Sequence, residues 1–375
     1  MKQIIERELA ALKADGRFRK IADQDTAADL IDLSSNDYLG LAARADLHDA
    51  FLDSEAARLP LSASASRLLA AKQSAFGSLE RTLEDAYGRG RRALLFNSGY
   101  HANTGTIAAL CGPNTIIIAD KLVHASIIDG MKLSGARFER FRHNDTAHLR
   151  RLLEKAVREG LQPLIIVESV YSMDGDYAPL EEIAQLKSKL APDGLLYVDE
   201  AHAVGVEGDA GLGLANTVNG VDVIIGTFGK ALASVGAYAI VEPYMRDWLV
   251  NRSRSLIFST ALPPMQVAWT EFMFKTARAM DSERKHLREL STRLGEILYR
   301  NGATDDAPGH IRPLITGDPV RAVKLSEALL REGFNVLPIR RPTVPPGTDR
   351  LRFSLSAALD IEQLKRLDGA LSKVL

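Results

Sequence analysis

Between about residues 74 and 245, short apolar runs recur along the chain, each followed by a stretch with helical spacing. Ala93–Phe96, Thr115–Ala119, Pro163–Glu168, Leu195–Asp199, Val223–Gly226 and Ala237–Val241 are nearly continuous in hydrophobic character rather than alternating. Continuous apolar strands separated by helices predict a mostly parallel central sheet covered on both faces, and so a large α/β domain over 41–245. Before it, residues 1–20 have amphipathic helical spacing, and Ile31–Ser34 reads as a short strand entering a turn-rich segment. Residues 1–40 are too few to form a core alone. After the large domain, 246–300 reads as a helical connection that ends in the charged stretch Asp281–Arg300. Over 301–375, strand-like Ile311–Ile315, Asn335–Pro338 and Leu351–Ser356 surround a helical 319–332, and a last helix begins at 361. That order predicts a smaller C-terminal α+β domain. The Pro-rich Arg341–Gly347 segment reads as a rigid functional loop.

Composition narrows the partners. The 375 residues are 46% hydrophobic, ample for a sizeable core, and 47 Lys plus Arg face 48 Asp plus Glu. A net charge of −1 gives no basic footprint, so neither nucleic acid nor a membrane surface is expected as a partner. Cys111 is the only cysteine, which excludes an internal disulfide and a multi-cysteine metal cluster; it is expected as a small buried hydrophobe. The charged, helix-like start Met1–Glu8 does not read as a signal peptide, and a cytoplasmic location is expected.

Candidate chemistry gathers at strand ends. Lys230 closes Thr227-Phe228-Gly229-Lys230 after one apolar run, and Asp199 and His202 close an earlier one. Taken singly, an acid at a strand end is as readily a helix cap, Gly-Lys is a common turn, and a lone histidine is more often structural. Their joint occurrence at the carboxyl ends of successive strands, where open α/β sheets bind ligands, suits pyridoxal 5'-phosphate (PLP). The lysine would form the Schiff base, and the aspartate would keep the pyridine nitrogen protonated. Ser98-Gly99-Tyr100 before the helical Ala102–Leu110 run offers N–H groups and a positive dipole end for a phosphate, although a plain strand-to-helix turn reads the same way.

Several longer motifs carry a family resemblance: Ser35–Gly40, Asn97–Asn103, His124-Ala125-Ser126, Glu168–Leu180, Asp199–His202, Thr227–Lys230 and Phe258–Pro264. On these, from about residue 30 to the end, the chain resembles the α-oxoamine synthases, fold-type I PLP-dependent transferases that join an amino acid to an acyl thioester with loss of carbon dioxide. Thr343–Gly347 and Arg350-Leu351-Arg352 are most similar to the member acting in biotin biosynthesis, which implies L-alanine and a pimeloyl thioester as substrates. The resemblance implies that Lys230 holds PLP and later removes the α-proton, that Asp199 pairs with the pyridinium and His202 with the phenolic oxygen, and that His124 stacks on the ring. It also implies that Ser172 adds a hydrogen bond near that oxygen, that Thr227 reaches the phosphate and that Thr260 reaches the phosphate of a neighbouring subunit, which makes a homodimer. Arg352 matches the position that binds the substrate carboxylate, with Asn36 as a second donor and Thr343 among the substrate contacts; the smaller domain is expected to close over the substrate.

Three positions depart from the pattern. Ser62–Ala71 stands where the family has a glycine-rich segment, with only Ser66-Arg67 matching, and the added side chains are expected to stiffen or narrow the acyl channel. Ala233 replaces a usual glycine, and Arg341 a usual proline. Two readings compete most directly: the same chemistry with glycine or another amino acid and a different acyl-CoA, and a non-catalytic partner subunit of this fold. The presence of Lys230, Asp199, His202 and Arg352 argues against the second. A dinucleotide-dependent oxidoreductase is weaker, because no Gly-x-Gly-x-x-Gly turn follows an early strand.

Overall fold

The computed structural model describes residues 1–19, 21, 30–71, 73–303 and 307–375. They form two compact units: a larger one of Leu39–Tyr171 and Tyr177–Asp281, and a smaller one of Met1–Tyr38, Ser172–Asp176 and Ser282–Leu375. Numbered along the chain, the strands are β1 (Ile31–Asp32), β2 (Arg92–Phe96), β3 (Thr115–Asp120), β4 (Arg137–Phe141), β5 (Gln162–Glu168), β6 (Leu195–Asp199), β7 (Val223–Thr227) and β8 (Ala237–Val241), then β9 (Ile311–Ile315), β10 (Phe334–Asn335), β11 (Pro338–Ile339) and β12 (Arg350–Ser354).

The larger unit is built on a seven-stranded sheet in the order β2-β8-β7-β6-β5-β3-β4. Every pairing is parallel except those of β8, which runs antiparallel to both β2 and β7. The apolar runs seen in the sequence become its central strands: β7 and β8 are buried at every residue and β5 at all but its first. The sequence pattern did not disclose β4. Its Arg-Phe-Glu-Arg-Phe sequence is largely exposed, and charges along an edge strand discourage pairing with other chains.

Helices Gly99–Leu110 and Ala125–Ser134 pack on this sheet, with Ile107, Ile127 and Met131 joining Ile117, Ile166 and Ile225 in one core cluster. Each fully buried side chain of this size contributes roughly 1.5–3 kcal/mol. Gly130 lets the two helices approach closely, since a Cβ there would lie 3.1 Å from the Asn103 carbonyl oxygen and 3.2 Å from Ile107 Cβ. Cys111 is half-buried against the same cluster rather than fully buried, because it caps the exposed end of the first helix; burial still pushes its thiol up to about 12.

In the smaller unit β12 lies between β11 and β9, antiparallel to both, and β1 pairs in parallel with β10. The expected strand Asn335–Pro338 divides into β10 and β11, with Pro338, which lacks an N–H, opening the second piece. Helix Pro319–Arg331 starts where Asp318 accepts from the Arg321 N–H at 2.8 Å, and Ile361–Val374 starts on a capping box between Asp360 and Gln363. The N-terminal helix spans Lys2–Ala14; residue 20 of the expected helix falls outside those described. Helices Pro243–Arg252 and Pro264–Arg278 belong to the larger unit, whereas Asp281–Arg300 belongs from Ser282 onward to the smaller one.

Ser172–Asp176 joins the smaller unit for an identifiable reason. Arg350 donates to the Met173 carbonyl at 3.0 Å and to Asp174 at 2.6 Å, and Arg352 donates to the Ser172 carbonyl at 2.6 Å. Gly175 has a φ of +71°, and a Cβ there would overlap the Ile311 carbonyl oxygen at 2.0 Å, so only glycine lets this segment lie against β9. No helix among the described residues is long and apolar enough to cross a membrane.

Candidate active site

Parallel pairing of β5, β6 and β7 delivers their carboxyl ends to one edge of the sheet, where a ligand site is expected in such folds. Glu168 and Asp199 are direct register partners at those ends, and Thr227 ends β7 three residues before Lys230. Beyond this edge lies a polar cavity of about 190 Å³. Of the residues expected from sequence, it is lined by Gly99, Tyr100, His124, Asp199, His202, Thr227 and Lys230. Asn103, Ser126 and Glu168 line it too. These three carry no role in the family resemblance, although each lies inside a family-like motif; what distinguishes them is polar character on otherwise apolar helix and strand faces.

The turn after β7 holds Lys230 half-buried, with the Ala233 N–H donating to the Lys230 carbonyl at 2.9 Å and that of Ser234 to Phe228. Lys230 Nζ is 2.7 Å from His202 Nε2. Asp199, 4% exposed, accepts from the Ala201 N–H at 2.9 Å through Oδ1 and from Asn103 Nδ2 at 2.7 Å through Oδ2. Opposite these groups, Ser98 caps helix Gly99–Leu110, its hydroxyl accepting from the His101 N–H at 3.2 Å. The first N–H groups of a helix have no intrahelical partner, which leaves those of Gly99 and Tyr100 for a ligand. The Thr227 hydroxyl lies at this helix start, 3.8 Å from where a Cβ on Gly99 would be. Tyr100 Oη donates to Asp129 at 2.5 Å.

His124 caps helix Ala125–Ser134, and its backbone N–H donates to Glu168 Oε1 at 2.5 Å. Burial holds the His124 ring below the ordinary histidine range. Burial also pushes the Glu168 carboxyl well above the carboxylate range, with the charge of Asp199 adding to the effect. One wall therefore presents a carboxylate, another a helix start and a hydroxyl, and a lysine stands with them. This donor set fits PLP, whose pyridine nitrogen wants an acid, whose phosphate wants N–H donors and whose aldehyde wants an amine.

Among the other expected residues, Asn36, Ser172, Thr343 and Arg352 belong to the smaller unit and Thr260 to the larger. In the smaller unit, Arg352 is 6% exposed and donates to the Ser172 carbonyl, to Asn36 Oδ1 at 3.1 Å and to Tyr38 Oη at 3.4 Å. All three acceptors are neutral, and among the described residues no carboxylate forms an ion pair with it. Arg350, two residues earlier on the same strand face, is instead paired with Asp174. Ser172 therefore stands beside Arg352 in this unit. Thr343 accepts from Arg19 Nη2 at 2.8 Å. In the larger unit, Thr260 forms an isolated bridge with Ser66, and its carbonyl accepts from Asn97 Nδ2 at 2.6 Å. At the departures from the family pattern, Ser64 and Ala233 take left-handed conformations, with φ of +55° and +44°.

The Aminotransferase class I and II family profile matches residues 28–371. The chain is 46% identical over 352 residues to the 8-amino-7-oxononanoate synthase of Haemophilus ducreyi, covering 91% of each protein. Its fold matches the serine palmitoyltransferase of Sphingomonas wittichii with a TM-score of 0.88 at 30% identity, covering 100% of this chain and 96% of that one. It also matches a serine palmitoyltransferase from S. paucimobilis whose structure holds PLP, at 27% identity and a TM-score of 0.88 over 99% of this chain and 96% of that one. With a family match across nearly the whole length and a PLP-compatible donor set at the sheet edge, the chain belongs to the aminotransferase class I and II family, as an α-oxoamine synthase.

Proposed function

We propose that this protein is a PLP-dependent C-acyltransferase that condenses L-alanine with a pimeloyl thioester, releasing carbon dioxide and the thiol, to give 8-amino-7-oxononanoate in biotin biosynthesis. The observation that carries the chemistry is the convergence of Asp199, His202 and Lys230 on one cavity at the sheet edge. The choice of substrates rests on the relative that is 46% identical.

Bound PLP supplies an electron sink for the pair of electrons left when the α-carbon loses its proton. The residues of this chain do the rest. Asp199, held by Asn103 and the Ala201 N–H, would face the ring nitrogen, and His202 the phenolic oxygen. The N–H groups of Gly99 and Tyr100, with Ser98 and the Thr227 hydroxyl, would take the phosphate, and Thr260 would add a hydroxyl to the site of a neighbouring subunit in a homodimer. Lys230 Nζ would hold the cofactor covalently and, once displaced by the substrate amine, take the α-proton. Arg352, a buried cation with only neutral acceptors, would take the alanine carboxylate, with Asn36 and Thr343 among the substrate contacts. Ser172 would contribute through its place beside Arg352. We place the enzyme in the cytoplasm, in keeping with its single cysteine.

Two measurements test this reading. Borohydride reduction followed by peptide mapping is expected to place the pyridoxyl group on Lys230; labelling at another lysine alone sinks the site assignment. A product assay crossing alanine, glycine and serine with acetyl, pimeloyl and palmitoyl thioesters is expected to favour alanine with pimeloyl. Preference for serine with palmitoyl, the pairing named in the structural neighbours, would refute the substrate assignment while leaving the PLP chemistry intact.

A further inference from the structure

A buried polar chain in the cavity wall connects Asp199 to His124. Asn103, Ser126 and Tyr197 are 2%, 0% and 0% exposed. Tyr197 Oη lies 2.6 Å from Asn103 Oδ1, Asn103 Nδ2 lies 2.7 Å from Asp199 Oδ2 and 2.9 Å from Ser126 Oγ, and Ser126 Oγ lies 2.8 Å from His124 Nδ1. Donor and acceptor chemistry constrains the direction of each bond in this chain. Only a donor is stable so close to the Asp199 carboxylate, so the amide of Asn103 turns its NH2 toward Asp199 and its oxygen toward the Tyr197 hydroxyl. The second N–H of that amide donates to Ser126 Oγ. The Ser126 hydroxyl then has His124 Nδ1 as its own acceptor, and the Ser126 backbone N–H also points at Nδ1, at 3.2 Å. Nδ1 therefore receives donors and carries no hydrogen.

We infer that Asn103, Ser126 and Tyr197 are positioning residues that lock His124 as the neutral Nε2–H tautomer, so that the ring offers the cavity one N–H donor and no positive charge. The inference rests on the proposed PLP chemistry only for its purpose: a neutral donor can bond an oxygen of the reactants without competing for the carboxylate that Arg352 is assigned to hold. The charged groups around His124 are Asp199, Lys230 and Asp129 near its ring and Glu168 at its backbone N–H. Asp199 and Asp129 favour the protonated ring, and Lys230 opposes it. Burial and the two donors at Nδ1 also oppose it, and burial has the largest effect.

The test is nitrogen-15 NMR of the histidine-labelled chain, as purified and after removal of cofactor, with the His124 signal assigned by its loss in His124→Gln. At neutral pH the Nε2–H pattern is expected in both forms. An Nδ1–H or imidazolium pattern for His124 overturns the proposal, whatever the product assay shows, and failure of the product assay with an Nε2–H pattern leaves it standing. Ser126→Ala removes the hydroxyl donor but not the backbone one, and is expected to raise the pH at which His124 takes up a proton by about one unit. Ser126→Thr keeps a hydroxyl and is expected to restore the original value. An unchanged titration in Ser126→Ala, in a variant that remains folded, overturns the role assigned to the chain of hydrogen bonds.

Discussion

Replacing Arg352 by methionine separates a carboxylate-binding role from a structural one. The guanidinium is 6% exposed and its acceptors, the Ser172 carbonyl, Asn36 Oδ1 and Tyr38 Oη, are all neutral, so no ion pair among the described residues balances its charge. A buried cation in that position gains most when an anion arrives. A charge-assisted hydrogen bond to the alanine carboxylate is worth about 1.5–3 kcal/mol, and Arg352→Met is expected to weaken alanine binding about tenfold to a hundredfold. The effect can be read as ligand protection in thermal or urea unfolding. At alanine near 100 times the wild-type dissociation constant, binding stabilises the native state by about 2.7 kcal/mol; a hundredfold loss of affinity leaves about 0.4 kcal/mol at the same concentration. Arg350→Met is the control, because Arg350 is paired with Asp174 at 2.6 Å and its loss should lower stability without removing alanine protection. Full protection in Arg352→Met, or equal loss in both variants, would refute the argument.

Other perturbations test other parts of the structure. Ala233 holds a φ of +44° in the turn after Lys230, a conformation that costs an L side chain about 1–2 kcal/mol, so Ala233→Gly is expected to stabilise the protein by about 1 kcal/mol after its larger unfolded-state freedom is counted; an unchanged or lower urea midpoint contradicts this. Glu200 is fully buried, and burial raises its carboxyl from 4.5 to about 7 despite donors from Ser169, Leu214 and Ala215. Between those values the folded state binds more protons than the unfolded chain, so this group's contribution to stability falls by roughly 3 kcal/mol as pH rises from 4.5 to 7. Glu200→Gln is expected to abolish that part of the pH slope in denaturant titrations, and an identical slope in the variant excludes it. If Thr260 completes a neighbouring subunit's phosphate site, sedimentation should show a dimer that loses PLP on dissociation; a monomer with full PLP occupancy rules that out.

What the sequence determined by itself was the architecture of the centre and the identity of the reactive groups. Apolar runs such as Ile165–Val167 and Val223–Ile225 have no solvent-facing alternate positions, which commits them to interior strands, and the chemistry of Lys230, Asp199 and His202 is intrinsic to their side chains. Strand β4 was not legible, because an edge strand exposes its charges and so lacks the apolar signature of its neighbours. Nor could the chain order reveal that Ser172–Asp176 is drawn into the smaller unit, since that depends on Arg350 and Arg352, far along the chain, finding carbonyls and a carboxylate there. The two arginines look alike in Arg350-Leu351-Arg352; only folding decides which is neutralised by Asp174 and which is left with neutral acceptors. Likewise Asn103, Ser126 and Tyr197 are unremarkable in sequence. Their roles arise from hydrogen-bond directions, which exist only after helices Gly99–Leu110 and Ala125–Ser134 and strand β6 have packed, because a buried polar atom must take its partner from whatever the tertiary fold brings within reach.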